Sequence, residues 1–187
     1  SGFGIADMEI FSCETYANNI KLRWQSLSAS VIVTVSRDSD GKLRMNICAD
    51  LRSGALQQVQ FPILEGMHFH SDNYLLFSYQ NGHLMKNPVD VFLGKEVEVP
   101  FWMGAGVGAF TSNYPAGTSF QFTTFYSPEE FSYYFATEDP DAYLKTYTYQ
   151  YNKERHALDY IVTNYPENMG KTRSYCMPYD FVLKLYD

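Results

Sequence analysis

Two histidines one residue apart, His68 and His70 in Met67-His68-Phe69-His70, have the spacing at which a strand aims two imidazoles at one ion. Residues i and i+2 of a pleated strand share a face. His83, in the next expected hairpin, would supply a third nitrogen. A second pattern with chemical content is Gly104-Ala105-Gly106-Val107-Gly108-Ala109, a literal G-x-G-x-x-G/A match close behind the strand-like Glu96-Val97-Glu98-Val99. The first would make a Lewis-acid metal centre, the second a pyrophosphate cradle.

The glycine pattern fails on context. A dinucleotide site needs a helix to open at the third small residue, so that its amide N–H groups face the phosphates. Here Ala109 leads into Phe110-Thr111-Ser112-Asn113-Tyr114-Pro115-Ala116-Gly117, and Pro100 interrupts the upstream strand. Proline and glycine so close would end any helix before its first turn is secure. The expected reading is a core strand that bends at its glycines. A rival reading makes residues 101–110 an apolar loop, carrying Trp102, that enters a lipid interface or packs at a subunit axis.

His-x-His on a jelly roll resembles the cupin family, over these few residues alone. That family places a glutamate four or five residues after the second histidine, where this chain has Tyr74 and Leu75, and its distal histidine motif is missing. The metal set stays an alternative limited to His68, His70 and His83. No metal and no cofactor is assigned. Asp38-Ser39-Asp40-Gly41 lacks the first acid of a calcium loop and reads as a hairpin turn. Glu138-Asp139-Pro140-Asp141 reads as a solvated acidic knot that caps the segment starting at Asp141. There is no G-x-S-x-G elbow, Walker loop or H-E-x-x-H, and no catalytic residue is assigned. An acid pair meeting only in space would leave no such mark.

Composition narrows the classes further. The 187 residues suit one domain, 1–187, with Ser1 and Gly2 read as an expression remnant. Net charge is −7, with 14 basic against 21 acidic residues and no basic cluster, which disfavours nucleic acid and anionic membranes as partners. No apolar run is long enough for a transmembrane helix. The three cysteines, Cys13, Cys48 and Cys176, form neither a disulfide framework nor a zinc pattern; one bridge plus a free thiol and three reduced thiols both remain open. Ten asparagines include no Asn-x-Ser/Thr acceptor. The compartment is unassigned, with a lean to an extracellular, cell-surface or virion setting.

The elements that must position any site are strands. Ile20, Leu22 and Trp24 alternate with Lys21, Arg23 and Gln25. Val31 to Val35, the turn at Asp38 to Gly41 and Leu43 to Ile47 read as a hairpin. Tyr74 to Gln80, Asn81-Gly82 as a two-residue turn and His83 to Met85 read as another. Val89 to Leu93 with Glu96 to Val99 make a third. Phe120 to Phe125, Tyr147 to Tyr151 returning as His156 to Thr163, and Phe181 to Tyr186 continue the pattern. Short helices are expected over Pro128 to Ala136, behind an N-cap at Ser127, and within Ala6 to Tyr16.

The fold expected is all-β: a two-sheet sandwich of jelly-roll type with one or two short helices. Aromatic residues make up 17% of the chain and cluster between Phe120 and Tyr151, where Tyr147, Tyr149 and Tyr151 share one strand face. Buried, that face is core; exposed, it is a stacking platform. The function expected is recognition rather than catalysis. Tyr147, Tyr149, Tyr151, Trp102 and Tyr126 would present rigid amphipathic rings to carbohydrate or to a protein, with homo-oligomerisation a further option. The rivals are a membrane-active sandwich using residues 101–110 and a metal-assisted enzyme on the same scaffold.

Overall fold

A computed structural model describes Gly4 and residues 7–93, 108–129 and 131–186. The strands are β1 (Glu9–Thr15), β2 (Asn19–Gln25), β3 (Ala29–Arg37), β4 (Leu43–Leu51), β5 (Val59–Met67), β6 (Tyr74–Phe77) and β7 (His83–Lys86). A short helix α1 (Pro88–Leu93) follows. Then come β8 (Ala109–Tyr114), β9 (Phe122–Tyr126), β10 (Ser132–Glu138), β11 (Lys145–Asn152), β12 (Ala157–Asn164), β13 (Ser174–Cys176) and β14 (Asp180–Tyr186). Pairing is antiparallel within two sheets. One runs β1-β2-β3-β4-β14-β10-β9-β6-β7, with β13 also on β4; the other runs β5-β12-β11-β8. The chain is an all-β two-sheet sandwich.

Period-two alternation places the core. From the small sheet, Tyr147, Tyr149 and Tyr151 of β11 and Leu158, Tyr160 and Val162 of β12 face inward; from the large sheet, Phe135, Phe181, Val33 and Ile47 meet them. Tyr160 sits at the centre, its ring 5.0 Å from Tyr149, 5.8 Å from Phe135 and 6.2 Å from Tyr147. A fully buried ring removes about 200 Å² from water, a gross gain of about 5 kcal/mol at about 25 cal/mol per Å² before ordering costs. Their hydroxyls need partners inside. Tyr147 shares a 2.7 Å bond with Thr137, and Tyr179 donates to Asn164, whose amide reaches the carbonyls of Val59 and Phe61.

Several turns follow from side-chain acceptors. Asp38 Oδ1 accepts the N–H groups of Asp40 and Lys42, closing the β3–β4 hairpin with Gly41 at φ +80°. Asn152 Oδ1 does the same for Glu154 and Arg155 between β11 and β12. Asp139 does not behave as solvated. It is buried, accepts the N–H groups of Asp141 and Tyr143, and pairs with the Lys145 ammonium.

Four further expectations change. The β6–β7 loop is Ser78 to Gly82, not Asn81-Gly82 alone, because Phe77 pairs with His83 while Tyr79 and Gln80 bridge to Thr118. Positive φ falls on Gln80 and Gly82. Val89 to Leu93 lies in α1, opened by Asn87 and by Pro88 at the first helical position, and Asn87 donates to Asp90; Glu96 to Val99 lie outside the described residues. The segment read as a helix from Pro128 enters β10 at Ser132, because Tyr133 and Phe135 pair with β9 and β14 on either side. The other expected helix is β1, paired along β2 with a register shift between Ile10 and Ser12. Long-range pairing overrides local helix preference in both, including the capping signal at Ser127.

Cys48 and Cys176 lie opposite one another on β4 and β13 and are joined by a disulfide; Cys13 is an exposed free thiol. No helix among the described residues is long and apolar enough to cross a membrane.

Candidate functional site

The end of β5 is bent by its own register. Leu158 pairs with Met67 and Tyr160 with Leu64, so β5 spends one residue more than β12 across this step. Gly66 takes up the surplus at φ +77°, and its N–H donates to Asp159 Oδ1 at 2.8 Å. Beside the bulge, an open groove of about 1000 Å³ lies between the end of β5 and the large sheet.

One wall of the groove is Leu64, Gly66 and Met67. The other is aromatic: Phe125 from β9, then Tyr133 and Phe135 from β10, with Leu183 of β14 beside them. These rings form a stacked run, Phe125 to Tyr133 at 5.3 Å and Tyr133 to Phe135 at 6.1 Å. Phe69 makes an edge contact with the Phe125 ring at 4.5 Å. Phe131 stands at the lip, 56% exposed. Glu65, His68, His70 and Glu129 supply the polar groups around the opening. Arg155 Nη1 holds Glu65 at 2.9 Å and so fixes one carboxylate of the rim.

Apolar faces of fixed orientation with a few convergent polar groups are the general make-up of a small-molecule site. Stacked rings present flat faces to C–H surfaces, while carboxylates accept, and imidazoles donate or accept, hydrogen bonds from hydroxyl groups.

The residues singled out from sequence are scattered. His68 and His70 both reach the groove, but His83 sits on β7 with its ring 6.0 Å from that of Tyr79. Among the described residues no three His, Cys, Asp or Glu side chains converge as metal ligands, so His68, His70 and His83 do not assemble as a set. Tyr147, Tyr149 and Tyr151 are 3%, 2% and 8% exposed. They form core, not a platform, because β11 is an inner strand whose aromatic face meets the large sheet. Burial pushes the Tyr147 and Tyr149 phenols well above their ordinary range. Tyr126 is half exposed, its ring 6.1 Å from Tyr74, on the face of β9 opposite the groove-lining Phe125. Trp102 lies outside the described residues, as does most of 101–110. Past it, Gly108 has φ +100° and residues from Ala109 run as β8, so no helix opens where a dinucleotide site would need one.

Sequence reasoning misses Phe125, Phe131, Tyr133 and Phe135. All four fall in the aromatic-dense stretch between Phe120 and Tyr151.

No family model matches the chain, and no curated protein matches it. Among solved structures, the GalNAc complex of the α-N-acetylgalactosaminidase NagBb from Bifidobacterium bifidum is similar with a TM-score of 0.63, at 11% identity, over 99% of this chain and 29% of that one. The ligand-free form of the same enzyme gives a TM-score of 0.45 at 11% identity, over 91% and 28%. The likeness is one of fold, and the chain spans less than a third of the enzyme's length.

Proposed function

We propose that this domain recognises carbohydrate, with the groove between β5 and β10 as the binding site. The observation that carries the reading is the groove floored by Phe125 and Phe135, with the half-buried Tyr133 and the exposed Phe131 as its accessible rings and carboxylates and imidazoles around its rim. A sugar ring needs both halves of that arrangement: a flat apolar surface for its C–H face and polar groups for its hydroxyls. A volume of about 1000 Å³ leaves room for more than one ring. Two further observations support the proposal. A sandwich of this fold forms part of an enzyme whose solved complex holds GalNAc. The Cys48–Cys176 bridge suits an oxidising compartment, where glycans are displayed.

The test is a glycan array that includes α-linked N-acetylgalactosamine, followed by calorimetry on the strongest hit. Phe131→Ala removes an exposed ring and should weaken that hit by about tenfold, about 1.4 kcal/mol, at unchanged melting temperature. Silence across the array, or wild-type affinity in Phe131→Ala, rejects the groove as a sugar site.

A further inference from the structure

At the other end of the sandwich three tyrosines line a smaller cleft of about 240 Å³. β12 connects the two places: Leu158 pairs with Met67 beside the groove, while Asn164 ends the strand just before Tyr165 of the cleft. Tyr143 comes from the β10–β11 connection, Tyr165 from the segment after β12, and Tyr175 from β13. Each ring is held from behind. Tyr143 rests on Tyr179 with ring centres 6.1 Å apart, and the Tyr165 hydroxyl lies 3.1 Å from Thr146 Oγ1. Tyr175 shares a hydrogen bond with Tyr179 and adjoins the bridged Cys176.

The charge of the cleft has one sign. Glu167 lines it beside Asn168, and no lysine, arginine or histidine does so among the described residues. Arg173, on the same loop, points its guanidinium to the Arg52 carbonyl. The field of Glu167, with burial and then Asp141 and Asp139 behind it, holds the Tyr143 phenol above its ordinary pKa.

Aromatic faces carry negative charge density, and a nearby carboxylate adds to it. The group that profits most is a cation whose charge is spread over methyl groups, because it sheds water at low cost and packs against rings. An anion is repelled, and an oligosaccharide is too large. We propose that the Tyr143–Tyr165–Tyr175 cleft binds a methylated ammonium group, of the kind carried by choline or by a trimethylated lysine. The site is independent of the groove.

The test titrates the whole chain with choline, with tetramethylammonium and with the neutral isostere 3,3-dimethylbutan-1-ol, followed by calorimetry and by the NMR resonances of Tyr143, Tyr165 and Tyr175. Both cations should shift those resonances, and the isostere should bind at least about tenfold more weakly. Tyr143→Ala and Glu167→Gln should each weaken choline by about threefold to tenfold. Glu167 is an exposed side chain, so its replacement leaves folding intact and keeps the result readable even where Tyr143→Ala lowers stability. Phosphocholine against a trimethyl-lysine peptide tells a choline-bearing source from a protein one. Equal binding of the isostere, a methyl hexoside that fills the cleft in place of choline, or no shift at millimolar choline overturns the proposal.

Discussion

Lys145 sets its ammonium against the Asp139 carboxylate with neither side chain reaching solvent. The cation also lies 4.3 Å from the centre of the Tyr179 ring and 4.7 Å from that of Tyr114, and donates to Gln121 Oε1 at 3.1 Å. Desolvation pushes the Lys145 pKa down, and Asp139 works against that push. Two charges that give up water together are cheap only as a pair.

Lys145→Met should therefore cost about 3–5 kcal/mol, since it strands a buried carboxylate. Lys145→Met with Asp139→Asn should recover a large part of it. Urea denaturation of the two variants measures the difference; equal losses would mean the pairing is energetically idle. The exposed Arg155–Glu65 pair offers the contrast, and Arg155→Met should cost no more than about 1 kcal/mol.

High pH should unfold the protein cooperatively. Burial raises the phenols of Tyr147, Tyr149, Tyr160 and Tyr179 far above the usual value of 10.0, and pushes Tyr175 up to about 12. The unfolded chain thus ionises first as pH rises. Stability is whole below pH 10 and falls by about 1.4 kcal/mol per pH unit per group until the folded phenol itself titrates. Lys145 runs the other way: its lowered pKa makes the folded state release its proton first, so this one group gains stability as pH climbs to the ordinary lysine range. The tyrosines outnumber it. Exposed phenols such as those of Tyr16 and Tyr126 ionise without unfolding, but the phenolate absorbance of the buried tyrosines should appear only in the same step as the loss of circular dichroism above about pH 11. Ionisation of all 16 tyrosines in a still-folded protein would contradict this.

Gly82→Ala should be destabilising by about 2 kcal/mol or more. A Cβ at this position would lie 2.6 Å from Phe120 Cζ, on a backbone with φ +88°. Combining it with Phe120→Ala should return the steric share and leave the conformational one. A thermal melt of both variants separates the two.

One thiol should react with Ellman's reagent in the native protein, from Cys13, and three after full reduction and unfolding. Replacing Cys48 and Cys176 by alanine should cost about 2–5 kcal/mol, because the bridge closes a separation of 128 residues in the unfolded chain. Retention of full stability would place the constraint elsewhere.

Strands are legible in the sequence wherever two faces differ in chemistry. Ile20, Leu22 and Trp24 against Lys21, Arg23 and Gln25 spell out β2, and Phe181, Leu183 and Leu185 spell out β14. The helix α1 is not legible, because Val89, Val91 and Leu93 also alternate, and the start signal at Asn87-Pro88 is only two residues long. For the candidate site, alternation tells which residues share a face but not which face another sheet will cover. Tyr147, Tyr149 and Tyr151 go inside for that reason, while Tyr133 and Phe131 of the neighbouring stretch reach the groove. His68 and His70 stand out for their spacing and reach the site as part of its rim. The groove walls come from Leu64 to Leu183, and no local pattern joins residues so far apart.

The bulge at Gly66, beside the groove, also has an effect on neighbours. β5 is a border strand of the small sheet, and a straight border with free amides invites another chain to extend it. Pro62 lacks an amide to offer, and the kink at Gly66 breaks the straight ladder a second copy would need. The distortion beside the groove thus also blunts that flank against fibre growth.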